Sequence, residues 1–121
     1  MNIEVIQENG KNIALLTGGD CVVTDVSAGL ELLMAVRHEA QAERLAAGKE
    51  AFCEEFFSLR SGLAGEILQK FINYQVKLAI YGDFSQYTSR ALRDFMLECS
   101  HGRDIFFTST KEDAIQRLAA V

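Results

Sequence analysis

The residues best suited to bind an anion lie at the start of an amphipathic segment near the middle of the chain. Arg60 and Ser61 come directly before Gly62, and the apolar spacing that follows predicts a helix from residue 63. A serine hydroxyl there can accept a backbone N–H of the first turn, and the positive end of the helix dipole favours an anionic group. The residues therefore predict an anion-binding or phosphorylatable junction. The alternative is an ordinary helix start capped by Ser61.

Polar side chains also follow the two later strands that the sequence predicts. Asp83 and Ser85 come after the apolar run 76–82, and Ser109 comes after the run 103–108. Because ligands of α/β proteins bind beyond the C-terminal ends of parallel strands, we expect these residues to share one polar rim. Asp83 follows a glycine and is also a typical turn former. The candidate ligand-binding or partner-binding residues are Ser58, Arg60, Ser61, Gly62, Asp83, Ser85 and Ser109.

Catalytic and metal-binding signals are sparse in this sequence. It contains no glycine-rich nucleotide loop, no nucleophile elbow and no paired cysteine motif, so we expect no cofactor and a non-catalytic protein. Cys99 and His101 would supply only two metal ligands, so we expect no metal site. A nucleophilic pair would have to combine Cys53 or Cys99 with His38 or His101, and their spacing does not place any of them together.

The composition is that of one ordinary globular domain, residues 1–121. The net charge of -5 disfavours nucleic acid and anionic lipid as partners, since both require clustered basic residues. No apolar run is long enough for a membrane span, and no basic segment followed by an apolar run opens the chain. Three widely spaced cysteines indicate reduced thiols. We therefore expect a cytoplasmic protein that binds neither nucleic acid nor membrane.

The first half of the chain predicts a hairpin and a helix. Residues 2–7 set apolar Ile3 and Val5 against polar Glu4 and Gln7, and an Asn-Gly pair separates them from residues 11–16. This pair is a strong hairpin signal because both turn residues tolerate positive φ. Helical spacing of apolar residues then runs from Asp25 to Arg44. A short third strand, weak in β-propensity, is expected to end near Ala51 or Phe52.

The second half alternates helices and strands more clearly. Its predicted elements are a helix over residues 63–72, a strand over 76–82, a helix capped by Thr88 or Ser89, a strand over 103–108, and a last helix from a capping box at Ser109 to Leu118. The order β-β-α-β-α-β-α-β-α predicts an α/β fold. We expect a mixed, mostly parallel sheet with an N-terminal antiparallel hairpin and flanking helices.

Two segments of the chain resemble a known family. "EEFFSLRSGLAGEILQKFINYQVKLAIYGDFSQYTSRALRDF" and "IFFTSTKEDAIQRL" are similar to the bacterial domain-of-unknown-function family numbered 4180, and the resemblance covers nearly the whole chain. This family has no established activity, so the resemblance implies membership and little more.

The order of elements also resembles that of the STAS domain, found in anti-sigma factor antagonists and sulfate transporters. In STAS domains the loop before the second long helix commonly reads Asp-Ser-x-Gly, and a partner kinase phosphorylates its serine. Ser61 and Gly62 fall at the comparable place, with Arg60 instead of the aspartate and the glycine one residue early. The resemblance implies a STAS-like regulatory module with Ser61 as the phosphoacceptor.

From these patterns we expect a STAS-like protein-interaction or regulatory module that binds a protein partner at the polar rim. One alternative is a small anionic-ligand-binding protein or enzyme, in which Arg60 holds the anion and Ser61 or Asp83 polarises it. Another is a structural homodimer. A deep pocket would favour a ligand, whereas a shallow rim beside an exposed apolar patch would favour a protein partner.

Overall fold

The computed structural model describes residues 2–121. Within them, the chain forms a five-stranded sheet and four α-helices. In chain order these are β1 (Asn2–Glu8), β2 (Lys11–Thr17), α1 (Val26–Met34), β3 (Arg44–Gly48), α2 (Leu63–Asn73), β4 (Lys77–Tyr81), α3 (Arg90–Ser100), β5 (Ile105–Thr108) and α4 (Lys111–Ala119). The predicted α/β element order is confirmed.

The strands lie side by side in the order in which the chain makes them, β1-β2-β3-β4-β5. β1 and β2 are antiparallel, and every later pair is parallel. Each crossover therefore advances by one strand in the same direction, and right-handed crossovers of this kind place α1, α2 and α3 on one face of the sheet. α4, which follows the last strand, packs on the other face.

Two apolar cores on opposite faces of the sheet agree with this arrangement. The larger core contains Leu33 from α1, Ile67 from α2 and Leu92 from α3. The smaller core contains Ala114 and Leu118 from α4, packed on the alternate side chains of the same strands. The sheet is thus covered by three helices on one side and by a single helix on the other. No helix within residues 2–121 has the length and apolar character needed to cross a membrane.

The predicted boundaries around β3 are wrong. The first helix does not reach Arg44: α1 passes into a π-helical segment, Ala35–Glu39, and Gln41 then has a positive φ of 52°. Arg44 instead begins β3, where its guanidinium donates to the backbone carbonyls of Leu118 and Val121. The strand is also shorter than predicted.

β3 ends at Gly48 rather than near Ala51 or Phe52, because the chain turns into a 3-10 segment, Lys49–Ala51. Ala46 and Ala47 have low strand propensity, yet they occupy the middle strand of the sheet and are almost fully buried. Burial between helices on both faces outweighs their propensity, because strand preference depends on packing.

The start of the last helix also differs from the prediction by one residue. Its capping residue is Thr110, whose hydroxyl accepts the backbone N–H of Asp113 at 3.1 Å, and Ser109 is exposed. The predicted capping box at Ser109 is therefore wrong. Ser89 does cap α3 as predicted, because its hydroxyl accepts the N–H of Leu92 at 3.3 Å.

Candidate functional site

The Ser61 loop, residues 54–62, is a series of tight turns that leads into α2. The hydroxyl of Ser61 lies 2.7 Å from the carbonyl oxygen of Glu55 and 2.8 Å from that of Ser58, and it accepts the backbone N–H of Leu63 at 3.1 Å. Gly62, with a φ of 73°, occupies the capping position of the helix, so the expected cap at Ser61 is wrong by one residue. The hydroxyl therefore closes the loop and satisfies the first turn of α2.

The other candidate side chains of this loop point to solvent. Ser58 and Arg60 are exposed, and neither side chain makes a hydrogen bond or ion pair with another residue of the described chain, 2–121. The loop opens with two exposed glutamates, Glu54 and Glu55. Arg60 is thus free to contact an anion, but it lies in a segment that is otherwise acidic.

Asp83 forms the turn that follows β4. Its carboxylate accepts the backbone N–H of Ser85 at 2.9 Å, and this hydrogen bonding is the main reason that the pKa of Asp83 is lowered. Lys49 donates to the backbone carbonyl of Asp83 and to Gln86 at 2.9 Å, and its ammonium lies 5.6 Å from the ring centroid of Tyr87. These contacts are those of a turn former that fixes the β4–α3 loop.

An opening lies between α3 and α4, beside β5. This α3–α4 cleft has a volume of about 700 Å³. Phe84 and Phe107 meet edge to face in it, with ring centroids 5.8 Å apart. Leu97, which is 60% exposed, lies on its wall. The lining residues are Phe84, Ser85, Tyr87, Arg93, Met96, Leu97, Ser100, His101, Phe107, Thr108, Ser109, Asp113, Gln116 and Arg117.

The two arginines of the cleft differ in how they are held. The Arg117 guanidinium lies 4.5 Å from the ring centroid of Phe106 and donates to the carbonyl of Ser100. Arg93 is exposed, and its side chain has no hydrogen-bond or ion-pair partner within residues 2–121. Arg117 therefore helps to build the wall, and Arg93 is available to an incoming group.

Charge is distributed unevenly along the chain. Residues 1–89 contain twelve acidic and seven basic side chains, whereas residues 90–121, which form most of the cleft, contain five of each. The whole net charge of -5 thus lies outside the segment that builds α3, β5 and α4. An acidic ligand meets the least repulsion at the cleft.

An aromatic bridge joins the Ser61 loop to the cleft. Phe57, at the middle of the loop, stacks on Tyr87 with ring centroids 4.8 Å apart and contacts Phe84 at 6.1 Å. Burial, and then the nearby carboxylate of Glu54, raises the pKa of the Tyr87 phenol. These ring contacts connect the loop to the cleft.

Comparison with protein families matches residues 8–118 to the family described as "Domain of unknown function (DUF4180)". The chain belongs to this family. The resemblance expected from its two quoted segments is therefore confirmed. No curated protein and no solved structure matches the chain.

In this DUF4180 chain the candidate residues fall into two neighbouring groups. Ser85 and Ser109 line the cleft, and Asp83 fixes the turn beside it. The remaining candidates lie in the Ser61 loop. Among residues 2–121, no hydrogen bond or ion pair joins one group to the other. The loop candidates are Ser58, Arg60, Ser61 and Gly62.

Sequence reasoning missed the exposed apolar residue and the two arginines of the DUF4180 cleft. The candidates did not include Arg93, Leu97 or Arg117. For Leu97, the position on the helix could have indicated exposure. Leu97 lies off the apolar face of α3 that contains Leu92 and Phe95, so helical spacing alone places a large apolar side chain in solvent. Nothing in the sequence distinguishes Arg93 from the other arginines.

The cysteines of this DUF4180 member are unpaired, and burial disfavours the thiolate form of two of them. Cys21, Cys53 and Cys99 are all free thiols. Burial raises the pKa of Cys99, with a smaller contribution from Glu98, and burial also raises the pKa of Cys21, so neither favours the reactive thiolate. Within residues 2–121, no group of three or more potential ligands is placed to hold a metal ion.

Proposed function

We propose that the protein is a regulatory protein-interaction module, whose α3–α4 cleft binds an acidic segment of a partner protein with an apolar side chain at its centre. We place it in the cytoplasm, because three unpaired cysteines suit a reducing compartment. The observation that carries the proposal is Leu97. It is 60% exposed, more than any other large apolar side chain of the described residues, and it lines the α3–α4 cleft.

The shape of the cleft favours a protein partner. Leu97 and Met96 form an apolar wall that is open to solvent, and Phe84 and Phe107 form a floor that can accept one side chain. Exposed apolar surface rimmed by polar groups is typical of interaction sites. Aromatic and arginine residues, which are enriched at the centres of interfaces, occur together here.

The charge of the partner follows from the free cation in the cleft. Arg93 lies on the same helix as Leu97, one turn away, without a partner of its own within residues 2–121. A carboxylate placed near Leu97 could reach its guanidinium and form a charge-assisted hydrogen bond. An acidic segment is the complement of this arrangement.

We further propose that phosphorylation of Ser61 regulates the cleft. The residue is exposed, it lies beside Arg60, and its hydroxyl closes the loop that contains Phe57. A phosphate could not keep these hydrogen bonds to two carbonyl oxygens, because it carries no donor at neutral pH. The loop would open, and the stacking of Phe57 on Tyr87 would weaken. The STAS-like order of elements supports the same role for Ser61.

A small anionic ligand is the second candidate for the same cleft. The volume of about 700 Å³ lies within the range of roughly 300–1,000 Å³ that is usual for ligand sites, and the aromatic floor suits a planar body. Arg93 would then hold the anionic group. A thermal-shift screen with aromatic carboxylates and phosphates tests this alternative, because a ligand that binds the folded state raises its melting temperature.

The protein-partner proposal is tested with labelled peptides and fluorescence anisotropy. The probe is a nonapeptide of glutamate and serine with a central leucine, and the comparison peptide replaces each glutamate with lysine. We expect saturable binding of the acidic peptide only, weakened by salt because charge contributes to it. Equal binding of both peptides, or no binding of either, contradicts the proposal.

Matched variants locate the binding surface. Leu97→Ser and Arg93→Glu change the cleft, whereas Ile72→Ser changes an apolar side chain that is 41% exposed on α2, outside the cleft. We expect each cleft variant to weaken peptide binding about tenfold or more, as loss of a central contact does, and Ile72→Ser to leave it unchanged. If Ile72→Ser weakens binding as strongly as Leu97→Ser, the cleft is not the site.

Phosphopeptide mapping after incubation with lysate and ATP tests the switch at Ser61. We expect phosphate on Ser61, and we expect Ser61→Asp to weaken peptide binding while Ser58→Asp, three residues away in the same loop, does not. An unmodified Ser61, together with equal affinities for the two aspartate variants, would remove the switch and leave the interaction proposal intact.

A further inference from the structure

β1 is an edge strand with one side open. Within residues 2–121 it pairs only with β2, over seven residues from Asn2 to Glu8. The connecting turn has two residues, both with positive φ, so the flanking pair of Glu8 and Lys11 exchanges hydrogen bonds. From there along the ladder, hydrogen-bonded residue pairs alternate with non-hydrogen-bonded pairs. The N–H and C=O groups of the even-numbered residues therefore point to β2, and those of Ile3, Val5 and Gln7 point outward.

The open side of β1 has only part of the usual protection of an edge strand, namely the charges of Glu4 and Glu8. β1 contains no proline and no basic residue, and Val5 at its centre is 45% exposed. The opposite edge of the sheet is protected, because the hydroxyl of Ser100 accepts the backbone N–H of Phe107 at 3.0 Å and α3 lies alongside. Of the two edges formed by residues 2–121, β1 is therefore the one better able to accept another strand.

We propose that β1 pairs with β1 of a second copy of this chain, antiparallel and centred on Val5, to join two sheets into one of ten strands. Two identical edges related by a two-fold axis must run antiparallel. The proposal concerns the edge opposite the α3–α4 cleft, and it does not depend on what the cleft binds.

The charges of β1 select this register. Pairing centred on Val5 overlaps all seven residues and places Glu4 opposite Ile6 and Glu8 opposite Asn2. Sliding one copy by two residues preserves the hydrogen-bonding pattern. In one direction this places Glu4 opposite Glu4 of the other copy, and in the other direction it places Glu4 opposite Glu8. Like charges directly opposite each other destabilise a ladder. The register centred on Val5 thus combines the longest overlap with no acidic pair.

The outward groups of this register also match. Val5 lies opposite Val5, and Ile3 lies opposite Gln7 in both directions, so the outward N–H and C=O groups of all three residues meet those of the other copy. A seven-residue edge is a small interface, and we expect a dissociation constant on the order of 100 μM. The dimer should therefore form and dissociate within an accessible concentration range.

Sedimentation equilibrium and amide hydrogen exchange test the proposal on the full chain. We expect dimers to appear between about 10 μM and 1 mM, with exchange at Ile3, Val5 and Gln7 slowing as concentration rises. Exchange at Glu4 and Ile6, whose N–H groups bond to β2, should be slow throughout. A monomer at every concentration overturns the proposal, and so does a dimer in which the three outward amides are unaffected.

Substitutions on β1 separate pairing from folding. Val5→Pro removes an outward N–H without breaking a bond to β2, and we expect it to raise the dissociation constant at least about tenfold, whereas Val5→Thr keeps the N–H and should pair. Circular dichroism checks that both variants fold. If Val5→Pro dimerises as well as wild type, β1 is not the interface.

The register has its own test at Asn2, which lies opposite Glu8 of the other copy. Asn2→Lys creates two opposite-charge pairs per dimer and should tighten association about threefold to tenfold, and Asn2→Glu should weaken it by a similar factor. The same direction of change in both variants overturns the register centred on Val5.

Discussion

The Ser61 loop and the α3–α4 cleft follow neighbouring strands of one sheet, yet their polar groups are used in opposite ways. In the loop, the Ser61 hydroxyl is bonded to Glu55, Ser58 and Leu63. In the cleft, Arg93 and Leu97 face solvent. Both regions fit the rule that polar residues collect where parallel strands end. The difference is that tight turns require internal hydrogen bonds, whereas a gap between two helices does not.

We therefore expect the Ser61 loop to contribute to stability and the α3–α4 cleft to contribute to the proposed binding. A side chain whose hydrogen bonds stay within its loop contributes to the folded state, and its removal leaves backbone groups of the loop without that partner. A side chain without internal partners contributes little to folding, so its replacement changes what the surface can bind. Substitutions in the Ser61 loop should therefore change mainly stability, and substitutions in the cleft should change mainly binding.

The largest effect is expected at Phe57, which links the two regions. The side chain is 6% exposed and stacks on Tyr87, so Phe57→Ala removes a buried ring and its aromatic contact. We expect the free energy of unfolding to fall by about 3–5 kcal/mol in urea titrations. Ile72→Ala, at a side chain that is 41% exposed, is the control and should cost much less. Similar losses for both variants would mean that the aromatic bridge does not connect the regions.

Ser61→Ala should have the next largest effect. It removes a hydroxyl with three partners and leaves the N–H of Leu63 and two carbonyls without it, so we expect a loss of about 1–2 kcal/mol in the free energy of unfolding. Ser58→Ala keeps the backbone carbonyl that bonds to the Ser61 hydroxyl, so it should change the free energy of unfolding by less than about 0.5 kcal/mol. Equal effects of the two serine variants would show that the loop is not closed by the hydroxyl.

Much of the fold could be predicted because local signals and packing agree. The Asn-Gly turn gave the hairpin, and the apolar spacing of residues 63–72 gave α2, since each pattern matches a face that is buried in the structure. β3 was misplaced because Ala46 and Ala47 carry no local strand signal. Their conformation is set by the strands on either side, which are distant in sequence.

The candidate site was less predictable, because hydrogen-bond partners depend on turns that the sequence does not specify. Ser61 was predicted to cap α2, whereas Gly62 occupies the capping position and the Ser61 hydroxyl accepts the N–H of Leu63. The bonds of Ser61 to Glu55 and Ser58 exist only because the preceding residues form 3-10 turns. Ser85 and Ser109 were placed correctly at the strand ends. The cleft that they share also requires the positions of α3 and α4 relative to β5, which come from tertiary packing.

The two arginines of the cleft should differ in their effects on stability. Arg117→Ala removes a contact with the Phe106 ring at 4.5 Å and a hydrogen bond to Ser100, and we expect a loss of about 1 kcal/mol in the free energy of unfolding. Arg93→Ala has neither contact and should change stability by less than about 0.5 kcal/mol while weakening peptide binding. Equal stability of the two variants would show that Arg117 is not part of the wall.

The smallest effect is expected at Asp83, the exposed turn former between the two regions. Hydrogen bonds from Ser85 lower its pKa from the ordinary value of 3.8, so the folded state favours the carboxylate. A lowered folded pKa means that the stabilisation is present above pH 3.8 and is lost as the pH falls through the folded pKa. The carboxyl carbon of Asp83, followed by NMR, should therefore titrate below pH 3.8.

The melting temperature of wild type should also fall more steeply than that of Asp83→Asn over the same acid range, because asparagine does not titrate. Parallel melting curves for the two proteins, or a midpoint at or above 3.8, would place Asp83 with the free side chains of the cleft rather than with the closed Ser61 loop.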